Sequence, residues 1–156
     1  MTPAELRQRV ANLASNERDS TDSGKYWREV LAPGYAGPFP PHWCGAFTLW
    51  ALRNALGCEW HWEVGKGYLF RLHPTKDPDI GDVCYMDAPF QHHAVLTAVG
   101  TDAQDVAFVI SQDGNSGPSP GICQEQWRPR AKWTAFYSIE PLVEAAMARE
   151  ATESPT

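Results

Sequence analysis

The chain has 156 residues, enough to bury one sizeable core. Hydrophobic residues make up 43% and charged residues 21%, which excludes a chain too polar to fold. The formal net charge is −6 and no Lys/Arg cluster occurs, so neither nucleic acid nor an anionic membrane surface is expected as a partner.

Residues 1–20 alternate charged and apolar side chains, unlike a Sec signal peptide. No apolar run approaches the roughly 20 residues of a membrane span. Over residues 3–15, Leu6, Val10 and Leu13 recur at helical spacing, with Pro3 in the first turn, and predict an amphipathic helix. Residues 16–24 are polar and turn-rich, and 25–31 read as a second helical piece. Residues 32–41 hold four Pro and two Gly and predict an irregular loop. A stronger helix is expected at 43–56, stopped by Gly57. Residues 58–78, aromatic and broken by Gly and Pro, give no clear pattern.

The second half changes character. Residues 82–88, 93–100, 105–112 and 132–139 read as strands, with turn residues 100–105 suggesting a hairpin between the second and third. A last helix at 141–150 leads to a polar tail. The expected organisation is one catalytic domain over 1–150 and a flexible tail over 151–156. Helices first and antiparallel strands later predict an α+β fold.

The four cysteines, Cys44, Cys58, Cys84 and Cys123, are widely spaced with no CxxC, which argues against a zinc site and for free thiols. No metal or cofactor is expected. Cys44 differs from the others because it opens the strong helix. A helix start has unpartnered N–H groups and a dipole that favours an anion, so a thiol there is pushed towards thiolate. The Cys44 N–H can also hold an oxyanion, and Gly45 leaves open backbone beside it. The plainer alternative for any cysteine is a small buried hydrophobe, and the other three are read that way.

A cysteine nucleophile needs a base, and His92 and His93 open an apolar strand. Successive strand residues point to opposite faces, so at most one can face Cys44, and the period does not choose between them. Their divergence also argues against joint metal binding. A third group to orient the imidazole could be Asp113 or Asn115, in a segment that also reads as a turn.

Several blocks carry a family resemblance. Residues Pro41 to Trp50 (PHWCGAFTLW), Asp79 to Tyr85 (DIGDVCY), Gln91 to Leu96 (QHHAVL) and Asp113 to Gly117 (DGNSG) resemble, in order, the Cys, Gly-Asp, His and Gly-Asn blocks of CHAP and NlpC/P60-type domains. Asn16 to Tyr26 is similar to their lead-in. The resemblance implies a papain-like core, with the Cys helix packed on a small antiparallel sheet. It implies Cys44 as nucleophile, His93 as base and Asn115 as orienting group, and it prefers His93 because the family's His directly precedes the apolar strand. The activity it implies is hydrolysis of peptidoglycan, at the sugar–peptide amide or within the stem peptide. Asp19 and Asp22 are too sparse for the calcium cluster of some members.

Aromatic residues Trp43, Trp60, Trp62 and Tyr68, with His92, are candidates to line the groove, with core packing an equal alternative for the aromatics. The expected setting is a protein made in the cytoplasm and acting at the cell wall, as a phage lysin released through holins or an injected antibacterial effector. An immunity or delivery protein would then be a partner. Two alternatives are a deamidase, protease or acyltransferase acting on a protein, and a binding module with a decayed site.

Overall fold

A computed structural model describes residues 1–153. The described residues form an α+β fold of four α-helices and a six-stranded antiparallel sheet. The helices are α1 (Pro3–Ser15), α2 (Ser23–Val30), α3 (Cys44–Leu56) and α4 (Glu140–Glu153). All four fall where periodicity predicts them. Residues 151–153 of the expected tail are the last turn of α4, and 154–156 lie outside the described residues.

The strands are β1 (His73–Thr75), β2 (Val83–Met86), β3 (His92–Thr101), β4 (Ala107–Ser116), β5 (Ile122–Pro129) and β6 (Ala135–Ser138), in the spatial order β1-β6-β2-β3-β4-β5. The four expected strands are present and the expected hairpin joins β3 to β4. Strands β1 and β5 were not expected. Both carry little period-2 hydrophobicity, because they form the two edges of the sheet, where one face or both meets water.

The main core lies between the helices and one face of the sheet. Leu6 and Val10 of α1, Tyr26 and Trp27 of α2 and Phe47 and Leu49 of α3 meet Val83 of β2 and Val95 of β3. The opposite face holds a smaller cluster, including Cys84, Ala94, Leu96, Trp133 and Phe136. The alternation along β3 therefore sends Val95 to the helices and Ala94 and Leu96 away from them.

Local signals set the helix ends. A capping box of Thr2 and Glu5 opens α1, with Pro3 in its first turn. Gly57 closes α3 in the left-handed region at φ 65°, as its position predicts. The start of α3 is different. Its N-cap is Trp43, whose side chain makes no capping bond, so the first-turn N–H groups of α3 remain open.

Asp82, from the Gly-Asp block, is a fold residue. It is buried, and its Oδ1 accepts from Arg7 Nη1 of α1 at 2.8 Å and from the Ile139 N–H at 2.9 Å, while Oδ2 accepts from the Asp79 N–H at 2.8 Å. One carboxylate thus ties α1 and the approach to α4 to the start of β2. Replacing it with Ala leaves the buried Arg7 without its best-buried partner. The expected loss in Asp82→Ala is about 3–5 kcal/mol, read as a lowered midpoint in urea unfolding.

Candidate active site

The first turn of α3 straddles the start of β3. On one side is Cys44, in a cavity of about 680 Å³ that His92, Asn115 and Arg128 also line. On the other is Gly45, where an added Cβ would come within 2.5 Å of the Trp62 ring and 3.4 Å of His93 Cε1. Glycine is what lets that indole close over the helix start. The two histidines therefore flank the same turn from opposite faces of β3.

Strand register decides what each histidine meets. Ala94 pairs with Asp113 across β3 and β4. Directly paired residues share a face, and so do residues two apart, so Asp113 and His92 lie on the same side. His92 Nε2 and Asp113 Oδ2 are 2.5 Å apart, both groups buried. Cys44 lines the same cavity as His92 and is among the groups whose hydrogen bonding and charge raise the pKa of that imidazole. The His92 ring also stacks on Trp133 at 6.2 Å and meets Phe90 edge-on at 6.3 Å.

Asp113 has no exposed surface and both its oxygens are engaged. Ser111 Oγ donates to Oδ1 at 2.6 Å, and Arg128 Nη1 of β5 donates to Oδ2 at 2.9 Å. Arg128 in turn lies over the Trp133 ring at 5.2 Å. The result is a connected row: Cys44, His92, Asp113, Arg128.

The electrostatics of the two histidines diverge. Burial is the largest influence on His92 and lowers its pKa, but hydrogen bonds to Asp113 and Cys44, with their charges, outweigh it and raise it to about 9. His93 is lowered to about 4, first by burial and then by the charge of His92. Its Nδ1 is buried without a hydrogen-bond partner. Adjacent titratable groups pushed apart in this way take different roles: one is held charged, the other neutral.

The resemblance pointed to His93 and Asn115; the contacts point to their neighbours. His93 sits on the helix-facing side with Val95 and lines a second cavity, of about 400 Å³, with Trp62, Tyr68 and Tyr85. Asn115 lies beyond a register shift that follows Asp113, in the left-handed region at φ 55°. The bulge turns its side chain towards Gly121, where an added Cβ would meet Asn115 Oδ1 at 2.2 Å. Asn115 lines the Cys44 cavity, and Asp113 is the residue bonded to His92. The segment read as a turn is the bulged end of β4.

The expected groove aromatics divide. Trp43 is core: it is buried, stacks on Tyr26 at 5.6 Å and donates its indole N–H to the Pro120 carbonyl. Trp60 is partly buried and packs on the main core. Trp62 and Tyr68 line the second cavity rather than the one that holds Cys44. Arg128, Ser111, Trp133 and Phe90 were not singled out from sequence. No spacing rule links them to Cys44, although Phe90 lies only two residues before His92.

All four cysteines are free thiols. Burial pushes Cys58, Cys84 and Cys123 up, Cys123 to about 11, which suits inert core thiols. Among the described residues no group of His, Cys, Asp and Glu gathers as a metal site, and no helix is long and apolar enough to cross a membrane.

The depressed His93 gives a stability prediction. The unfolded chain binds this proton near pH 6.5 and the fold only near pH 4. Stability is therefore full above about pH 6.5 and lost as pH falls towards 4, by on the order of 3 kcal/mol. Urea unfolding at pH 7 and pH 4.5 should show a smaller acid loss in His93→Phe than in the parent. An equal loss in both proteins would mean that His93 does not carry it.

No family model, curated protein or solved structure matches this chain.

Proposed function

We propose that this chain is a cysteine hydrolase in which Cys44 is the nucleophile, His92 the acid–base group and Asp113 the group that orients it. The observation that carries the reading is the row in which buried Asp113 holds His92 Nε2 while the ring faces the Cys44 sulfur at an uncapped helix start. An imidazolium and a helix N-terminus both favour a thiolate beside them.

The steps follow from that arrangement. The thiol proton resides on His92, and the Cys44 sulfur attacks an amide carbonyl, forming a C–S bond. The carbonyl oxygen becomes an oxyanion, which the open N–H groups of α3, that of Cys44 among them, are placed to receive. Collapse breaks the C–N bond, and His92 gives its proton to the leaving amine. Water, losing a proton to His92, then adds to the thioester, and its collapse frees the acid and restores Cys44.

The substrate proposed is bacterial peptidoglycan, cut at the sugar–peptide amide or within the stem peptide, on a papain-like core of the CHAP and NlpC/P60 kind. Support comes from the ordered sequence blocks and from an α+β architecture with Cys44 at the start of a helix packed on an antiparallel sheet. A lytic protein released by holins, or an injected effector with its immunity protein, fits that activity. The departure from the resemblance, His92 with Asp113 for His93 with Asn115, keeps the chemistry and moves it one position along β3 and two along β4.

Mass spectrometry of purified peptidoglycan after incubation is the direct test. New muropeptide ends should appear with the parent protein and vanish with Cys44→Ala. Ends that persist in Cys44→Ala would sink the nucleophile assignment. An inert wall together with a processed protein substrate would favour the deamidase, protease or acyltransferase alternative.

Two further outcomes separate the histidines. His92→Ala should lower kcat/KM at least about 100-fold, the range for loss of a positioned acid–base group, whereas His93→Phe should lower it less than about tenfold. Activity should fall on the alkaline side near pH 9, where His92 loses the proton it must deliver. Asp113→Asn removes the charge that raises His92, so the residual activity should lose its alkaline limb at a lower pH. An unmoved limb would place that ionisation elsewhere.

A further inference from the structure

We infer that the cavity beside Cys44 is built for a substrate bearing a carboxylate near the scissile amide, such as an acidic peptide. This rests on the cysteine hydrolase reading above and adds the chemical class the site selects. Acidic residues outnumber basic ones 19 to 13 in the chain, yet the cavity lining runs the other way. It includes Arg128 and Lys132, and its lining residues include no Asp or Glu. The carboxylate bonded to His92, that of Asp113, is fully buried, with Oδ2 taken by His92 and Arg128 and Oδ1 by Ser111.

Counted with Lys132, the charges around that carboxylate leave a positive excess. Asp113 supplies one negative charge against two positive partners, Arg128 and a His92 that stays protonated to about pH 9. A Cys44 thiolate balances one of them. Lys132 then remains as uncompensated positive charge on the cavity wall, with the open end of α3 adding to the field. The remaining walls include Met86, Pro89, Phe90, Pro120 and Pro129, apolar surfaces that screen little. A cleft of one sign with low-dielectric walls concentrates ligands of the opposite sign. A neutral amide would gain nothing from that field. Arg128 uses Nη1 for Asp113 and Ser111, and the rest of its fork can meet a carboxylate in its plane.

The probe is a pair of alkylating agents that differ in charge: iodoacetate, a carboxylate, and neutral iodoacetamide. Labelling at Cys44 is followed by peptide mass mapping at low salt, near pH 7. The ratio of the iodoacetate to the iodoacetamide rate should exceed that of free cysteine by about tenfold. Lys132→Gln should lower the ratio about threefold, while Lys66→Gln, on the other cavity, should leave it unchanged. His92 is intact in these variants, so the imidazolium cannot account for the difference between them. Glutarate should slow labelling more than inorganic phosphate or chloride at matched ionic strength.

A ratio equal to that of free cysteine, or one indifferent to Lys132→Gln, overturns the inference and leaves the hydrolase reading standing. Phosphate as the stronger protectant overturns the carboxylate assignment. Failure of both reagents to label Cys44 overturns the nucleophile reading, and this inference with it.

Discussion

The site depends on one buried carboxylate. Asp113 has no exposed surface, so its charge depends on protein donors. Three arrive from three places: His92 from β3, Ser111 from its own strand and Arg128 from β5. An ion of this kind costs several kcal/mol to desolvate, and only good geometry from all its partners offsets that. The carboxylate therefore fixes the His92 ring, pins the β4–β5 register beside it and brings a guanidinium to the cavity wall.

The same carboxylate separates two histidines that the sequence makes equivalent. His92 and His93 are neighbours, both buried, both at the first turn of α3. Only the first shares a face with Asp113. Its pKa rises to about 9 although burial works against it, while His93, with no anion to pair with, falls to about 4. A one-residue shift along a strand thus exchanges a charged ring for a neutral one. His93, neutral and packed near Trp62, Tyr68 and Tyr85, serves as an aromatic wall.

The fold was legible where periodicity is strong and the site only in part. Helix α3 and its Gly57 stop read directly from the sequence, and Cys44 was singled out from its place at that helix start together with the histidines that could serve it. The strand period could say that His92 and His93 point apart, but not which way, because facing requires the register with β4. On its other side, β4 loses register with β5 just after Asp113, and the bulge turned the expected Asn115 aside towards Gly121. Bulges leave almost no pattern in a single sequence beyond the glycines near them. Arg128 was hidden for another reason: β5 is an edge strand with mixed polarity, and an arginine there looks like any solvated charge. Trp43 misled in the opposite sense, since its place beside Cys44 suggested a groove while its ring belongs to the core with Tyr26.

Cys44, His92, Asp113 and Arg128 form a row of alternating potential charge, thiolate, imidazolium, carboxylate and guanidinium. Each interior member is flanked by its opposites, so the row can be buried without a net charge. That neutrality has a functional side. If Asp113 had His92 as its sole cation, the pair would bind its shared proton very tightly and release it poorly to a leaving amine. Arg128 shares Asp113 Oδ2 with His92, and in the proposed reaction a carboxylate shared in this way would hold the imidazolium proton less tightly. The guanidinium does so from a residue that also lines the cavity of Cys44. In the proposed reaction one residue would thereby moderate the acid–base group and bias the cavity towards anions, both through the same buried carboxylate.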